Sequence, residues 1–133
     1  MSFDPHGYIS FETALSAHGV MDHLIHCLQI ATAGSDRILT IEGVGRAPWI
    51  ALPDDFLFGD IPGSRLDFPD WRVAEPEKAL CDLMWLCESR GFALPVESLR
   101  LDEIEIGRFE RYAARMDLDT SWLRGAKGRF DFT

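Results

Sequence analysis

The stretch Val73-Ala74-Glu75-Pro76-Glu77-Lys78-Ala79-Leu80-Cys81-Asp82-Leu83-Met84-Trp85-Leu86 decides how this chain folds, because it reads as an extended segment turning at once into a helix. Pro76 stands where a first helical residue belongs, since the N–H it lacks would be unpaired there and its ring presets φ. Glu75 and Glu77 put negative charge at the positive end of the helix dipole. Leu80, Leu83, Met84 and Cys87 recur at three- and four-residue spacing and line one face with apolar side chains. The spacing predicts a core helix from Pro76 to about Arg90.

Toward the N-terminus, Gly7-Tyr8-Ile9-Ser10-Phe11-Glu12-Thr13-Ala14-Leu15-Ser16-Ala17-His18-Gly19-Val20 reads as a short helix with both ends marked. Ser10 is the expected N-cap, Glu12 suits the first turn, and Gly19 can take the left-handed conformation that closes a helix. Phe11, Ala14, Leu15 and His18 would share a face. The middle of the chain is β-rich. His26 to Ala31, Arg37 to Ile41 and Trp49 to Leu52 read as strands, with Ala33-Gly34-Ser35-Asp36 as a turn between the first two. Phe56-Leu57-Phe58 leads into a turn over Gly59-Asp60-Ile61-Pro62-Gly63, and a further short extended stretch is expected between Leu66 and Val73. Beyond the core helix, Pro95 opens a short helix, and Asp102 with Glu105 makes a capping-box-like start for a longer one carrying Phe109, Tyr112, Ala113 and Met116 on one face. Asp119 is placed to cap a last turn containing Trp122 and Leu123. Strands that follow one another without helices between them pair mostly antiparallel. The expectation is one α+β domain over residues 1–133, with a small, mostly antiparallel sheet in residues 26–73 flanked by a short N-terminal helix and C-terminal helices.

With 133 residues, 47% of them hydrophobic, the chain can bury a core without disulfides or metals. No apolar run approaches the roughly 18 residues of a membrane span. Met1-Ser2-Phe3-Asp4-Pro5-His6 has neither the basic nor the apolar region of a secretory signal. Three cysteines without regular spacing suit a reducing compartment, so a cytoplasmic location is expected. A net charge of −9 disfavours general nucleic-acid binding, whose affinity comes from neutralising phosphates. The charge is unevenly spread: residues 107–130 hold six basic against three acidic side chains, whereas residues 1–106 hold seven against eighteen. Such asymmetry marks a polar contact surface.

Catalytic arrangements fit poorly. Pro69-Asp70 followed by Glu75, Glu77 and Lys78 suggests a metal-dependent nuclease. That chemistry needs Glu and Lys two apart on a strand, and here they are adjacent or three apart, at the start of a helix. His18, His23, His26 and Cys27 lack the second downstream pair of a zinc site, and no metal ligands are assigned. No Gly-x-Ser-x-Gly elbow occurs, and Gly43-Val44-Gly45 lacks the rest of a phosphate loop or dinucleotide fingerprint. Asp54-Asp55 and Asp60 read as an acidic loop, Cys81 and Cys87 as small core residues, and Trp49, Trp71, Trp85 and Trp122 as packing residues. The chain is expected to be neither an enzyme nor a cofactor carrier.

Two of these segments, Gly7-Tyr8-Ile9-Ser10-Phe11-Glu12-Thr13-Ala14-Leu15 with His18-Gly19-Val20, and Val73-Ala74-Glu75-Pro76-Glu77-Lys78-Ala79-Leu80 with Asp82-Leu83, together resemble the AbiEi-type antitoxins of abortive-infection, type IV toxin–antitoxin systems. Leu28-Gln29-Ile30-Ala31-Thr32-Ala33 and Phe56-Leu57-Phe58-Gly59 fall where that family has a strand and a Phe-Gly segment, so the likeness covers roughly residues 7 to 90. Fuller members carry an N-terminal winged helix-turn-helix that binds promoter DNA. Only six residues precede Gly7, so this chain resembles the effector half alone, with no direct DNA binding expected of it. The resemblance implies a transcriptional-regulator family member in phage defence, an antitoxin that counteracts a nucleotidyltransferase-like toxin encoded nearby by protein-level action. The alternative is a non-catalytic scaffold or interaction subunit pairing with a separate DNA-binding chain. Should contact with a partner occur, the basic residues Arg108, Arg111 and Arg115 of the late helix and Arg124, Lys127 and Arg129 of the tail are the expected binding residues, by charge complementarity.

Overall fold

The computed structural model describes residues 7–21, 27–41, 45–66, 68 and 70–123. Among them six strands form one sheet: β1 (Tyr8–Ile9), β2 (Ile30–Thr32), β3 (Arg37–Ile41), β4 (Gly45–Ala51), β5 (Asp60–Pro62) and β6 (Arg72–Ala74). Three α-helices accompany them: α1 (Phe11–Ala17), α2 (Pro76–Arg90) and α3 (Ile106–Arg115). The strand order is β3-β4-β2-β1-β6-β5. β1–β2, β3–β4 and β5–β6 are antiparallel, and β1–β6 and β2–β4 are parallel. The fold is α+β with a mixed, mostly antiparallel sheet, a short N-terminal helix and C-terminal helices, as the sequence leads one to expect.

The sheet is wider than residues 26–73, however. It begins at Tyr8, and β1 lies near its middle, with Ile9 paired to Ile30 on one side and Val73 on the other. Two residues are too few to display a period-2 pattern, so this strand leaves no alternation to read. The first β-segment expected at His26 to Ala31 is a strand only from Ile30 to Thr32 among the described residues. The expected turn at Gly59–Gly63 holds β5, whose Asp60, Ile61 and Pro62 pair with Ala74, Val73 and Arg72. Pro62 sits on an outer strand of the sheet, where a missing N–H is tolerated. The longer late helix opens at Ile106 rather than Asp102, because Leu101–Glu103 forms a separate 3-10 turn. Near the chain's end, the Ser121 N–H donates to Asp119 Oδ1 at 2.9 Å, so Asp119 caps the final turn as its position suggests.

Every one of the three α-helices closes in the same way, with a left-handed residue just past its end. These residues are Gly19 (φ 78°), Gly91 (φ 72°) and Asp117 (φ 56°). The next N–H folds back onto the last turn in each case: Val20 to the Leu15 carbonyl, Phe92 to Cys87 and Leu118 to Ala113. This arrangement satisfies carbonyls that the helix itself leaves open. Gly is free in that region and Asp tolerates it.

α2 is the centre of the packing. Leu80, Leu83, Met84 and Cys87 are buried as expected, but so are Glu77, Lys78 and Asp82. At about 100° per residue, Lys78 and Asp82 project from the side opposite Leu80. The helix is therefore covered on two sides: an apolar stripe on one and an ion pair on the other. Gly59 (φ 77°) makes the second side possible, since a Cβ there would stand 2.9 Å from Lys78 Cγ. Two substitutions separate this crowding from simple backbone strain. Gly91→Ala meets open space and should cost about 1–2 kcal/mol through its left-handed φ alone. Gly59→Ala adds the clash and should cost roughly 2–4 kcal/mol. Urea unfolding of both variants checks this, and equal costs would show that the Gly59 approach to Lys78 is not tight.

Candidate functional site

Lys78 and Asp82 lie four residues apart on α2, one turn above each other, so their side chains meet. Both are wholly buried, a placement that charged side chains adopt only when paired and hydrogen-bonded. The Lys78 ammonium donates to Asp82 Oδ1 and, at 2.9 Å, to the Tyr8 hydroxyl. Tyr8 in turn donates to Asp82 Oδ2 at 2.9 Å, and Ser10 Oγ donates to the same oxygen at 2.6 Å. Burial pushes the Asp82 carboxyl upward from its ordinary range, and the Lys78 charge and the three donors oppose that push. The Tyr8 phenol is driven far above its usual value, first by burial and then by the Asp82 charge. Lys78 also points at an aromatic face: its nitrogen lies 4.6 Å from the Phe58 ring centroid.

Ser10 is the N-cap residue of α1, yet its hydroxyl makes no cap bond. It is committed to Asp82 instead. The Thr13 N–H that a cap would satisfy donates to Gln29 Oε1 at 2.9 Å. Gln29 thus caps α1 from the residue preceding β2, and its own N–H donates to Thr13 Oγ1 at 3.0 Å. Phe11, the next residue after Ser10, carries φ 58° while wholly buried, a conformation costing a bulky residue on the order of 1–3 kcal/mol. The residue before it is fixed twice, because Ser10 N–H bonds the Gln29 carbonyl at 3.0 Å and Ser10 Oγ bonds Asp82. His18 closes α1 against the sheet, with Nε2 2.8 Å from the Ala74 carbonyl oxygen.

A second cluster joins the start of α2 to α3. The Glu105 N–H donates to Glu77 Oε2 at 2.8 Å, so Glu77 serves as a remote cap for α3. Arg108 Nη1 reaches Glu75 Oε2 at 3.1 Å and Glu77 Oε1 at 3.4 Å, and Tyr112 donates to Glu75 Oε1 at 2.5 Å. Burial, then the Glu75 hydrogen bond and charge, push the Tyr112 phenol up to about 12. The two clusters share Phe58. Arg115 Cζ stands 3.9 Å from its ring centroid, and Tyr112 meets the ring edge-on at 5.2 Å. One aromatic ring therefore lies between a buried lysine and a surface arginine.

The six basic residues expected to bind a partner are distributed unevenly. Arg108 is committed to the glutamates at the start of α2, which removes much of its capacity for another carboxylate. Arg115 stacks on Phe58 and Arg111 is exposed on α3. Arg124, Lys127 and Arg129 lie outside the described residues. Neither of the enzymatic readings gains a site here: Lys78 faces inward, Asp70 sits exposed in a turn, and the described residues hold no group of three or more His, Cys, Asp or Glu able to bind a metal. No described helix is long and apolar enough to cross a membrane. The role of Tyr8, Ser10, Lys78 and Asp82 escapes the sequence reading. The usable signal was the Lys78–Asp82 pair at i, i+4 inside an otherwise buried helix.

No protein-family model, curated protein or solved structure matches the chain.

Two experiments test the site. Asp82→Ala leaves the buried ammonium without its partner and should cost about 3–5 kcal/mol, whereas Lys78→Met with Asp82→Leu should recover a large part of that loss. A loss below about 1 kcal/mol for the single change would mean that the pair is solvated. The second uses the chain's two tyrosines. In the unfolded chain both should ionise near 10. In the folded protein Tyr112 should ionise near 12 and Tyr8 should remain protonated there. A folded pKa above the unfolded one makes the Tyr112 contribution to stability complete below pH 10 and progressively lost as pH rises through about 12. Tyrosinate absorbance in the native protein reads this directly, and Glu75→Gln should shift the Tyr112 titration downward.

Proposed function

We propose that this chain is an AbiEi-like antitoxin domain, a cytoplasmic regulator that counteracts a nucleotidyltransferase-like toxin encoded nearby without catalysing a reaction of its own. The observation that supports this reading is spatial. The four segments that carry the resemblance are far apart in sequence, and all of them supply residues to one connected network. Tyr8 and Ser10 come from the first and Lys78 and Asp82 from the last. Gln29 replaces Ser10 as the α1 cap, and Phe58 and Gly59 cover Lys78. A set of residues that makes sense only together is better support for a shared fold than separate helix starts would be. A shared fold is compatible with more than one function, so the functional part rests on the resemblance.

The network's polar groups are turned inward and bonded to one another, which assigns them to holding the domain. Recognition then falls to exposed side chains, with Arg111 as the foremost, since it is exposed without a described ion-pair partner. The first test expresses the chain and the adjacent gene from separate inducible promoters. Relief of growth arrest supports the antitoxin reading. A harmless neighbour, or an arrest left unrelieved, would favour the scaffold subunit that pairs with a separate DNA-binding chain. Given relief, Arg111→Glu should weaken it while leaving thermal unfolding within about 0.5 kcal/mol of wild type. Arg111→Glu with Arg115→Glu should weaken relief further and also cost roughly 1 kcal/mol, through the lost stacking on Phe58. Full relief by the double variant would remove this face from consideration.

A further inference from the structure

The two edges of the sheet are built differently. At one edge β5 is three residues long and ends on Pro62, which has no N–H to offer a further strand. At the other, β3 is the outermost strand among the described residues and runs for five residues without proline or lysine. Arg37 to Thr40 are all exposed, and Ile38 and Leu39, which point to opposite faces, are 58% and 41% exposed. The bonding of β4 fixes which groups of β3 turn outward. Leu28 N–H donates to the Arg46 carbonyl and Leu52 N–H to the Thr32 carbonyl, so even-numbered residues along this stretch turn toward β2. Ala51 N–H turns the other way, to Asp36 Oδ1 just before β3. Opposed residues of an antiparallel ladder exchange both bonds or neither. Arg37, Leu39 and Ile41 therefore bond Trp49, Ala47 and Gly45, whereas Ile38, opposite Pro48, and Thr40, opposite Arg46, turn their N–H and C=O groups to the outer edge.

We infer that β3 is a self-association surface, pairing antiparallel with β3 of a second copy of this chain about a two-fold axis at Leu39. In that register Ile38 opposes Thr40 of the copy and Thr40 opposes its Ile38, so the outward groups of both residues are used. Leu39 meets its own counterpart at the closely spaced, non-bonded position, and the two Ile38 side chains lie diagonally on the other face. One operation thus covers the apolar side chains exposed on both faces, which is why the strand suits a copy of itself. A two-fold contact closes on itself. Growth into a longer array would need β3 to add to the β5 edge, which Pro62 opposes. A five-residue edge covers less surface than a standard interface, and two chains of net charge −9 repel each other, so the pairing is weak and reversible. It makes no use of the antitoxin reading and stands or falls apart from it.

The test follows the full chain from low-micromolar to millimolar concentration by sedimentation velocity and by amide hydrogen exchange. A monomer–dimer equilibrium should appear, strengthened by added salt, which screens the like charge. Over the same range the Ile38 and Thr40 amides should gain about tenfold in protection, and the Leu39 amide, already bonded to β4, should not change. Thr40→Pro removes an outward N–H while leaving the bonds to β4 in place, and should weaken the dimer by about tenfold or more. Leu39→Lys alters no main-chain group and sets two ammonium groups against each other, so it should do the same with thermal unfolding unchanged. Sedimentation as a monomer throughout would overturn the inference. So would Ile38 and Thr40 amides protected equally at every concentration, since the edge would then be covered within the chain, or a dimer that survives both variants.

Discussion

A charge buried out of water must be answered by an opposite charge and by hydrogen bonds, and the Lys78–Asp82 pair of α2 imposes that demand on much of this domain. The ammonium and carboxylate answer each other only in part. Tyr8 and Ser10 supply the remaining hydroxyls, which places β1 against α2 and fixes where α1 begins. The demand reaches further through Ser10. Because its hydroxyl serves Asp82, α1 must find another cap, and Gln29 provides it. Phe58 covers the ammonium and Gly59 makes room for its stem. Such a pair need not add net stability over an apolar core of the same shape. Its consequence is that only one register of these segments satisfies every group.

The same helix organises the C-terminal part. Glu75 and Glu77, which by sequence alone favour the N-terminus of α2, also hold Arg108, Tyr112 and the N–H of Glu105, the residue that leads into α3. Dipole complementarity and interhelical bonding are therefore served by the same carboxylates. One result bears on recognition: the basic face of α3 is less uniform than its composition suggests. Arg108 is structural, Arg115 is partly so, and Arg111 remains presented to solvent.

The parts of the fold legible in the sequence were those with local signals. Pro76 opens α2, Gly19 closes α1, Asp119 caps the turn before Leu123, and Arg37–Ile41 is a strand where β-branched and apolar residues cluster. Elements fixed by distant partners were not legible. β1 is two residues long and owes its existence to Ile30 and Val73. β5 was hidden in a Gly- and Pro-rich stretch because its pairing with β6 is tertiary. The burial of Lys78 and Asp82 was invisible for a related reason: on a helix surface an i, i+4 ion pair looks the same whether water or Tyr8 lies beyond it.

The dependence of β1 on α2 is most directly tested by native-state hydrogen exchange. The Ser10 amide belongs to the segment joining β1 and α1, and the Asp82 amide lies in the middle of α2. If the buried pair ties these elements together, both amides open only on global unfolding and report the same free energy, across denaturant concentrations. Exchange of the Ser10 amide through an opening several kcal/mol easier than that of Asp82 would contradict this. It would mean that β1 and the start of α1 detach while the ion pair stays in place, and that the network is not what joins the two ends of the domain.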